Sequence, residues 1–291
     1  MAQFLQIVLA GISIGAIYSL AALGFTIVFN ATKVTNFANG EFVMMGGLVA
    51  ASLVSNAQWP VPAAVALAVV VVTALGIALD KFGVQQARRK TILGYAMVTI
   101  GASLLYRGIM QVSAGRDVLF LPNFGVLPDL RLFDVYFTSQ STWILLTLVI
   151  VSGALSYLFL RTRIGKAMRA ASQSPRAAAL CGIEPARMSA LAFGMAAAAG
   201  ALAGALVAPV GGAFFEYGLG FGLKGFAAAV LGGFGSPVGA VIGGLLIGLL
   251  ESLSAGYLSS AYKDAVALAI LLGLLLAWPS GLLGRVEARR V

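Results

Sequence analysis

The sequence predicts an all-α polytopic membrane protein that forms a single transmembrane domain across residues 1–291. Of the 291 residues, 60% are hydrophobic and 10% are charged, and the mean hydropathy is +0.98. Soluble domains carry about 25% charged residues, and a chain this apolar cannot cover itself with polar surface in water. Lipid is therefore its solvent, and its apolar segments are expected to cross the bilayer as helices.

The spanning elements follow from runs of apolar residues, because a helix needs about 20 of them to cross the hydrocarbon core. Six runs are convincing candidates: 4–29, 61–80, 91–113, 141–160, 188–209 and 264–283. A weaker run, residues 37–55, follows the polar stretch 31–36. An eighth run, residues 225–252, is apolar but is interrupted in its middle.

The interruption is the sequence Leu-Gly-Gly-Phe-Gly-Ser-Pro-Val-Gly at residues 231–239. Four glycines and a proline in this stretch disfavour a continuous helix, since both residue types are unfavourable in a helix interior. We therefore expect two short helices joined by an irregular turn. The eight hydropathic segments then correspond to about nine crossings.

Basic residues indicate the topology. Three segments, 81–90, 161–187 and 285–290, hold 13 of the 19 lysines and arginines, and the positive-inside rule places all three in the cytoplasm. An outside N-terminus followed by three spans, and then by two more, satisfies the first two placements. Residues 114–140 then lie outside, where their acids outnumber their bases. A cytoplasmic C-terminus requires three further crossings, which favours the broken pair over a single span at 225–252.

The order of elements also suggests an internal inverted repeat. Residues 4–55 contain a long span, a Gly- and Asn-rich interruption and a short helix, and residues 188–252 repeat that order, with the Gly-rich turn as the interruption. Because five spans precede the second unit, the two units would run in opposite directions. Interrupted helices in such repeats are typical of transporters.

Composition excludes several kinds of chemistry. The chain has one cysteine, Cys181, and no histidine, so a disulfide framework, an ordinary zinc site and a histidine-based triad are not available. The net charge of +9 does not indicate nucleic-acid binding, because the basic residues stand between apolar spans and form no surface stripe. We predict no catalytic residues, no metal site and no cofactor.

The basic segment 161–187 carries signals of folded structure. Residues 165–173 and 175–181 have helical composition. Ser174 is suited to cap the second helix, with Pro175 at its first position, and Gly182 is suited to end it. A defined helix in a loop between spans indicates a docking element. The alternative is an ordinary basic anchor beside the membrane.

Four sequence blocks stand out along the chain. They are, in order, residues 15–24 with 36–42, residues 165–170 with 178–183, residues 231–240, and residues 278–284. Each block alone is a weak signal, but the four in register resemble the branched-chain amino acid ABC permeases of the LivH type. The resemblance extends over nearly the whole chain.

The resemblance implies a multi-subunit importer in a bacterial inner membrane. Such permeases pair with a second, homologous permease and work with two cytoplasmic ATPases and a periplasmic solute-binding protein. The segment 161–187 would be the coupling loop that fits a groove on an ATPase. Its candidate contact residues are Gly165, Lys166, Ala167, Arg169, Ala170, Gly182 and Ile183. The chain has no G-x-x-x-x-G-K-[ST] motif, so ATP would be hydrolysed by the partner subunits.

Three polar residues are candidates for the translocation path: Asn36, Asn39 and Glu41. An acid within a membrane helix is a functional candidate. The alternative is that Asn39 caps the helix, that Glu41 complements its dipole, and that Asn36 satisfies local backbone groups. LivH-type permeases usually have histidine at the position of Asn39, so a path-facing residue there would change solute preference.

Other charged residues near the spans have simpler explanations. Arg107 lies about one and a half turns from the outer end of its span, where its side chain can snorkel to the interface. Glu216 and Lys224 flank the outer end of the broken helix and are expected at a solvated rim. Lys224 and Lys263 have no evident partner in the sequence.

The sequence therefore favours the permease subunit of a binding-protein-dependent ABC importer, for branched-chain or related amino acids according to the resemblance. A self-contained secondary transporter or channel for a small polar solute is the alternative. It would need coupling groups at the membrane midplane, and Glu41 is the one acid deep in the first half of the chain. An intramembrane enzyme is the third class. The sequence does not distinguish amino acids from urea or small carboxylates as the solute, nor identical from different permease partners.

Overall fold

The structure, a computed structural model, describes most of the chain. It covers residues 2–87, 91–125, 129–132, 135–260, 262, 263, 265, 268, 269, 272, 273, 276 and 281–284. The predicted span 264–283 lies largely outside the described residues, and the basic segment 285–290 lies wholly outside them.

The described elements are helical apart from one small hairpin. The helices are α1 (Ala2–Thr32), α2 (Asn39–Ala57), α3 (Val61–Ala78), α4 (Ile92–Ala114), α5 (Ser139–Arg161), α6 (Arg163–Gln173), α7 (Pro175–Leu180), α8 (Pro185–Gly211), α9 (Tyr217–Gly232) and α10 (Pro237–Tyr257). Helix α3 continues as a π-helical turn, Leu79–Val84. Strands β1 (Leu130–Leu132) and β2 (Val135–Phe137) pair antiparallel between α4 and α5.

The predicted all-α polytopic membrane fold is confirmed. Within the described part of the chain, seven helices are long and apolar enough to span a bilayer: α1, α2, α3 with its π-helical turn, α4, α5, α8 and α10. Helix α9 is shorter, with 16 residues. At about 1.5 Å per residue it extends about 24 Å, less than the hydrocarbon thickness of about 30 Å.

The predicted broken pair is present as α9 and α10, but its dimensions differ from the expectation. The turn is confined to residues 233–236, and α10 is a full-length helix instead of a short one. Both helices can approach closely because glycines face each other: a Cβ on Gly239 would overlap the carbonyl of Gly232, and one on Gly243 would overlap the carbonyl of Ala228. These contacts define an antiparallel hairpin, so the chain reverses direction at 233–236.

The helix ends form two groups at opposite ends of the molecule. At the first end, the start of α1 meets the β-hairpin and the end of α10. There Gln6 Nε2 donates to the Tyr136 carbonyl (3.0 Å), and Ser252 Oγ donates to the Ile7 carbonyl (2.7 Å). The N-terminal residues, residues 114–125 and the β-hairpin therefore share this end.

The second end carries the described parts of the basic segments 81–90 and 161–187. Gln85 Nε2 donates to the Ala186 carbonyl (3.0 Å), and Asn30 Nδ2 donates to the Gly235 carbonyl (2.8 Å). Helix α6 packs against α1, α5 and α8 there, and residues 281–284 hydrogen-bond to the end of α9. The predicted grouping of segments 81–90 and 161–187 opposite the N-terminus thus agrees with the helix contacts in their described residues.

Residues 33–38 are not a simple loop between two spans. Helix α1 ends at Thr32, yet α2 begins beside Ala21, whose carbonyl accepts a hydrogen bond from Asn39 Nδ2 (2.9 Å). Ala21 lies about 17 Å back along α1 at about 1.5 Å per residue. The chain therefore re-enters the bundle before α2 starts, and the first turn of α2 lies inside the protein.

Small residues bring the central helices together. On α1, a Cβ at Gly15 would lie 2.9 Å from the Gly244 carbonyl of α10. Between α2 and α8, a Cβ at Gly204 would overlap the Val43 carbonyl. Close backbone approach of this kind is the usual way helices associate in lipid. Helices α4 and α5 lie at the periphery of this bundle, since little of their surface is buried.

The second unit of the proposed inverted repeat differs from the expectation, because the glycine-rich turn separates α9 from α10 and does not follow the long helix α8. Helix α1, residues 33–38 and α2 form one unit, and in the structure α8, residues 212–216 and α9 show the same order. Helix α1 starts at the first end, whereas α8 starts at the second end beside Gln85. The two units therefore begin at opposite ends of the molecule.

Candidate functional site

Glu41 lies in the first turn of α2 and is 1% exposed. Its Oε1 accepts a hydrogen bond from Ser103 Oγ (2.9 Å) and forms an ion pair with Arg107 Nη2. The Arg107 side chain is 23% exposed. Glu41 Oε2 and Arg107 Nε are buried and have no hydrogen-bond partner among the described residues. Each charged group therefore has a hydrogen-bonding atom that the internal pair does not use.

This ion pair lines a cavity of about 200 Å³ between α1, α2, α4 and α9. Most other walls are apolar, including Phe25, Phe37, Ile100, Leu104, Leu223 and Phe226. Gly218 leaves room for the carboxylate, because a Cβ there would lie 2.7 Å from Glu41 Oε2. The site thus combines one acid, one base and one hydroxyl with an apolar surround.

The ion pair lies deep in the bundle. Ser103 is the middle residue of the 23-residue helix α4, which runs from Ile92 to Ala114. Arg107 lies one turn closer to the first end. Since α4 is long enough to span a bilayer, Glu41 and Ser103 lie near the midplane of the membrane.

The sequence explanation for Arg107 is wrong. Its side chain does not snorkel to the interface but turns inward to Glu41, 66 residues away along the chain. A charge within a span usually needs a partner, and the sequence had already marked Glu41 as the one acid deep in the first half of the chain. The pairing was missed because nothing in the sequence shows that α2 and α4 are adjacent.

Asn39 and Asn36 lie beside this cavity but do not line it. Asn39 Nδ2 donates to the Ala21 carbonyl. Its Oδ1 packs closely against Gly24, since a Cβ added to Gly24 would lie 2.5 Å from it. The capping alternative for Asn39 is wrong, because Ala38 occupies the N-cap position and no side chain caps α2. Asn36 Oδ1 accepts from the Ala38 backbone (3.0 Å), which is the local role considered for it.

A second buried ion pair joins α9 to α10. Lys224 Nζ lies 2.9 Å from both carboxylate oxygens of Glu251 and donates to Tyr18 Oη (3.0 Å), which in turn donates to Glu251 Oε2 (2.7 Å). Lys263 Nζ lies 3.7 Å from Glu251 Oε1. The solvated rim expected for Lys224 is therefore wrong, and both lysines have an acidic partner.

The 161–187 segment folds as two capped helices. Thr162 caps α6 by accepting from Gly165 N (3.2 Å), and Ser174 caps α7 by accepting from Ala177 N (3.3 Å). Gly182 ends α7 with φ +78°, and two backbone hydrogen bonds close the last turn, from Gly182 and Ile183. The predicted helices, the Ser174 cap and the Gly182 terminator are confirmed.

One face of the segment is free and the other is fastened to the bundle. Gly165 is buried and packs so closely against α5 that a Cβ there would overlap the Leu158 carbonyl. Lys166, Arg169 and Gly182 are exposed, while the remaining candidates Ala167, Ala170 and Ile183 are half-buried. Leu180 is 91% exposed at the end of α7. The segment thus presents cations and one apolar side chain from a fixed frame.

Among the residues that the structure describes, no three histidine, cysteine, aspartate or glutamate side chains are grouped so that they could hold a metal ion. The charged groups described above instead pair acid with base. Binding of a charged or polar solute is the chemistry that such a pair can support.

A family model described as "Branched-chain amino acid transport system / permease component" matches residues 7–275. The chain belongs to this permease family. It is 34% identical to the high-affinity branched-chain amino acid transport system permease protein LivH of Escherichia coli K12, over 99% of this chain and 98% of that protein. The corresponding LivH of Salmonella typhimurium is 33% identical over the same shares. BraD of Pseudomonas aeruginosa is 31% identical, again over 99% and 98%.

No solved structure matches the chain. The relatives are permease proteins of transport systems, and the similarity covers 99% of this chain and 98% of each of them. The resemblance seen in the four sequence blocks is therefore confirmed. The chain is a multi-pass membrane permease of an amino acid transport family.

Proposed function

We propose that this chain is one transmembrane subunit of a binding-protein-dependent ABC importer for branched-chain or related amino acids. The observation that carries the proposal is the similarity over 98–99% of both chains to permease proteins of branched-chain amino acid transport systems. The partners would be a second homologous permease, two cytoplasmic ATPases and a periplasmic solute-binding protein. The chain itself would carry out no catalysis and hold no cofactor.

The 161–187 segment is proposed as the coupling loop. Helices α6 and α7 are capped at both junctions, and the segment is fastened to α5 through Gly165, so a force on α7 would reach the membrane helices. Exposed Lys166 and Arg169 would meet acidic groups of an ATPase, and Leu180 would enter an apolar part of its groove. Charge reversal, Arg169→Glu, should reduce assembly with the ATPase or the coupling of hydrolysis to uptake.

The chain is proposed to lie in a bacterial inner membrane. Within that membrane, the second end of the molecule is proposed to face the cytoplasm. The basic residues of segments 81–90 and 161–187 support this orientation through the positive-inside rule. The N-terminus would then face the periplasm and the C-terminus the cytoplasm. The same orientation presents the 161–187 segment to ATPases in the compartment that contains ATP.

The translocation path is proposed to pass the Glu41 cavity. Glu41 is the path candidate whose side chain lines that cavity, and Asn36 and Asn39 would support the re-entrant segment around it. Because Asn39 packs against Gly24, the Asn39→His substitution should alter transport by displacing α1 or α2. Glu41→Gln should change solute preference directly.

The test is reconstitution. The chain is purified with its permease partner and ATPases and placed in vesicles, and the binding protein with leucine is added outside. We expect ATP hydrolysis to rise when the loaded binding protein is added, and leucine to accumulate only with ATP present. Accumulation by this chain alone, driven by an ion gradient, would instead favour the secondary transporter.

A further inference from the structure

We propose that the Glu41–Arg107 cavity is the transit site of the solute and that it binds an α-amino acid as its zwitterion. The inference rests on the importer function proposed above and adds the site and its recognition chemistry. The Glu41 carboxylate would take the ammonium group, the Arg107 guanidinium would take the carboxylate, and the apolar walls would take an aliphatic side chain.

The unused capacity of the ion pair supports this assignment. The internal pair joins Arg107 Nη2 to Glu41 Oε1, while Glu41 Oε2 and Arg107 Nε are buried without a hydrogen-bond partner among the described residues. Unpaired charged atoms inside a protein are costly, and a guanidinium has five donors in a fixed fork. Both atoms are closed off from solvent, with Glu41 Oε2 packed against Gly218, so the internal pair must open before a ligand contacts them. A zwitterion would then supply the missing donor and acceptor at the same time and leave no net charge behind.

The shape of the cavity fits the same class of ligand. Its volume of about 200 Å³ is below the range of about 300 Å³ and more that holds drug-sized ligands, and suits one small molecule. Phe25, Ile100, Leu104 and Phe226 form walls that can accept a branched aliphatic chain. An ammonium or a carboxylate alone would satisfy one pole of the site and oppose the other.

The cavity lies beside the surface of the chain and is not enclosed in the core. Ser103 lies at the middle of α4, and the neighbouring wall residues Ile100, Leu104 and Leu223 are exposed on the surface of the chain. An arginine facing lipid at this depth would be unfavourable. The open side of the cavity is therefore expected to face the second permease, with the path between the two subunits.

The competing explanation is that the ion pair only fastens α2 to α4. The two roles differ in what happens when both charges are removed. A fastening pair resembles other buried ion pairs, in which the loss of one partner is harmful and the loss of both is tolerated. A binding pair loses its function in either case.

The first experiment uses the complete importer in vesicles, with Glu41→Gln, Arg107→Gln and the double variant. ATP-driven uptake of radiolabelled leucine is measured at a limiting leucine concentration. We expect at least a tenfold loss for all three, because a charge-assisted contact is removed in each. The matched control is the double variant Lys224→Gln with Glu251→Gln, which neutralises a buried pair outside the cavity and should stay within twofold of the wild type.

The outcomes separate the two levels of inference. If the wild type does not import leucine with ATP, the proposed importer function fails. If the wild type imports and the Glu41/Arg107 double variant does so equally well, the pair is structural and the transit site is wrong.

The second experiment needs no substitution and applies even if the double variant does not assemble. Radiolabelled leucine binding is measured on the permease–ATPase complex in lipid nanodiscs without the binding protein. Unlabelled leucine should displace it, whereas 4-methylpentanoate, which lacks the ammonium group, and 3-methylbutylamine, which lacks the carboxylate, should each be at least tenfold weaker. Equal displacement by either analogue, or no saturable binding in a complex that imports leucine, would overturn the proposal.

Discussion

At the scale of single residues, this protein relies on two kinds of position: glycines at helix contacts and charges buried in pairs. Gly15 and Gly204 allow backbones to touch where any side chain would intervene. Glu41 and Glu251 are buried acids, and each has a basic partner from another helix. In lipid, where apolar contacts between helices add little, these positions hold the bundle together.

Gly204→Ala should weaken the contact between α2 and α8. The new methyl group would overlap the Val43 carbonyl, so the helices must separate, at a cost of about 1–3 kcal/mol. The measurement is the thermal unfolding midpoint of the detergent-solubilised protein, followed by size-exclusion chromatography. Gly153→Ala on α5, where nothing lies within 4 Å of the new Cβ, is the control and should leave the midpoint unchanged or slightly raised.

Glu251→Gln should destabilise the α9–α10 hairpin by about 3–5 kcal/mol, because Lys224 would remain buried beside a neutral amide. Adding Lys224→Gln should recover most of that loss, since no charge is then left without a partner. Both variants are compared by thermal unfolding. A double variant no more stable than the single one would contradict a role for the charge pair.

At the scale of elements, capping decides which segments are rigid. Helix α7 has six residues, too few to be stable alone, but Ser174 caps its start and Gly182 closes its end. Ser236 and Pro237 begin α10 in the same way, with Ser236 Oγ accepting from Gly239 N (3.1 Å). The Ser174 boundary was predicted from the sequence, and Ser236 with Pro237 has the same local preference, which tertiary contacts did not override.

Gly182→Val should loosen α7, since a non-glycine residue in the left-handed conformation at φ +78° costs about 1–2 kcal/mol. Hydrogen exchange of the amides of residues 175–183 should accelerate about tenfold, because 1.4 kcal/mol corresponds to a factor of ten. Stimulated ATP hydrolysis in the reconstituted importer should fall with it. Gly182→Asn is the matched control, since asparagine tolerates this conformation, and it should retain both properties.

At the scale of the whole molecule, a central group of helices encloses the re-entrant residues 33–38. Helices α4 and α5 lie outside this central group. The largest share of burial is in α8 and then α1 and α2, whereas α4 is the least buried span. This arrangement leaves the open side of the Glu41 cavity on the surface of the chain. A second permease subunit would complete that side.

The proposed orientation can be checked with the native cysteine. Cys181 is exposed on the 161–187 segment, and Asn56 is exposed at the opposite end, in the last turn of α2. A membrane-impermeant maleimide should label Cys181 in inside-out vesicles and not in intact spheroplasts. Asn56→Cys, in a Cys181→Ser background, should show the reverse pattern. Labelling of both positions from the same side would contradict the topology.

The sequence by itself determined the lipid environment, the spans within the described residues, the break at 233–236 and the capped helices of the 161–187 segment. Each of these depends on composition or on residues close together in the chain, such as Ser174 with Pro175. Local preferences and hydropathy act over a few turns of helix, so they can be read without knowing which helices are neighbours.

Only the tertiary structure decided the partners of the buried charges. Arg107 reaches Glu41 across 66 residues, and Tyr18 reaches Glu251 across 233 residues. These pairs depend on how α2 meets α4 and how α1 lies against α10, and small-residue packing in lipid leaves no hydropathic pattern that specifies such neighbours. The re-entry at 33–38 was hidden for the same reason, because it shows only in contacts between residues far apart in the chain, such as that of Asn39 with Ala21.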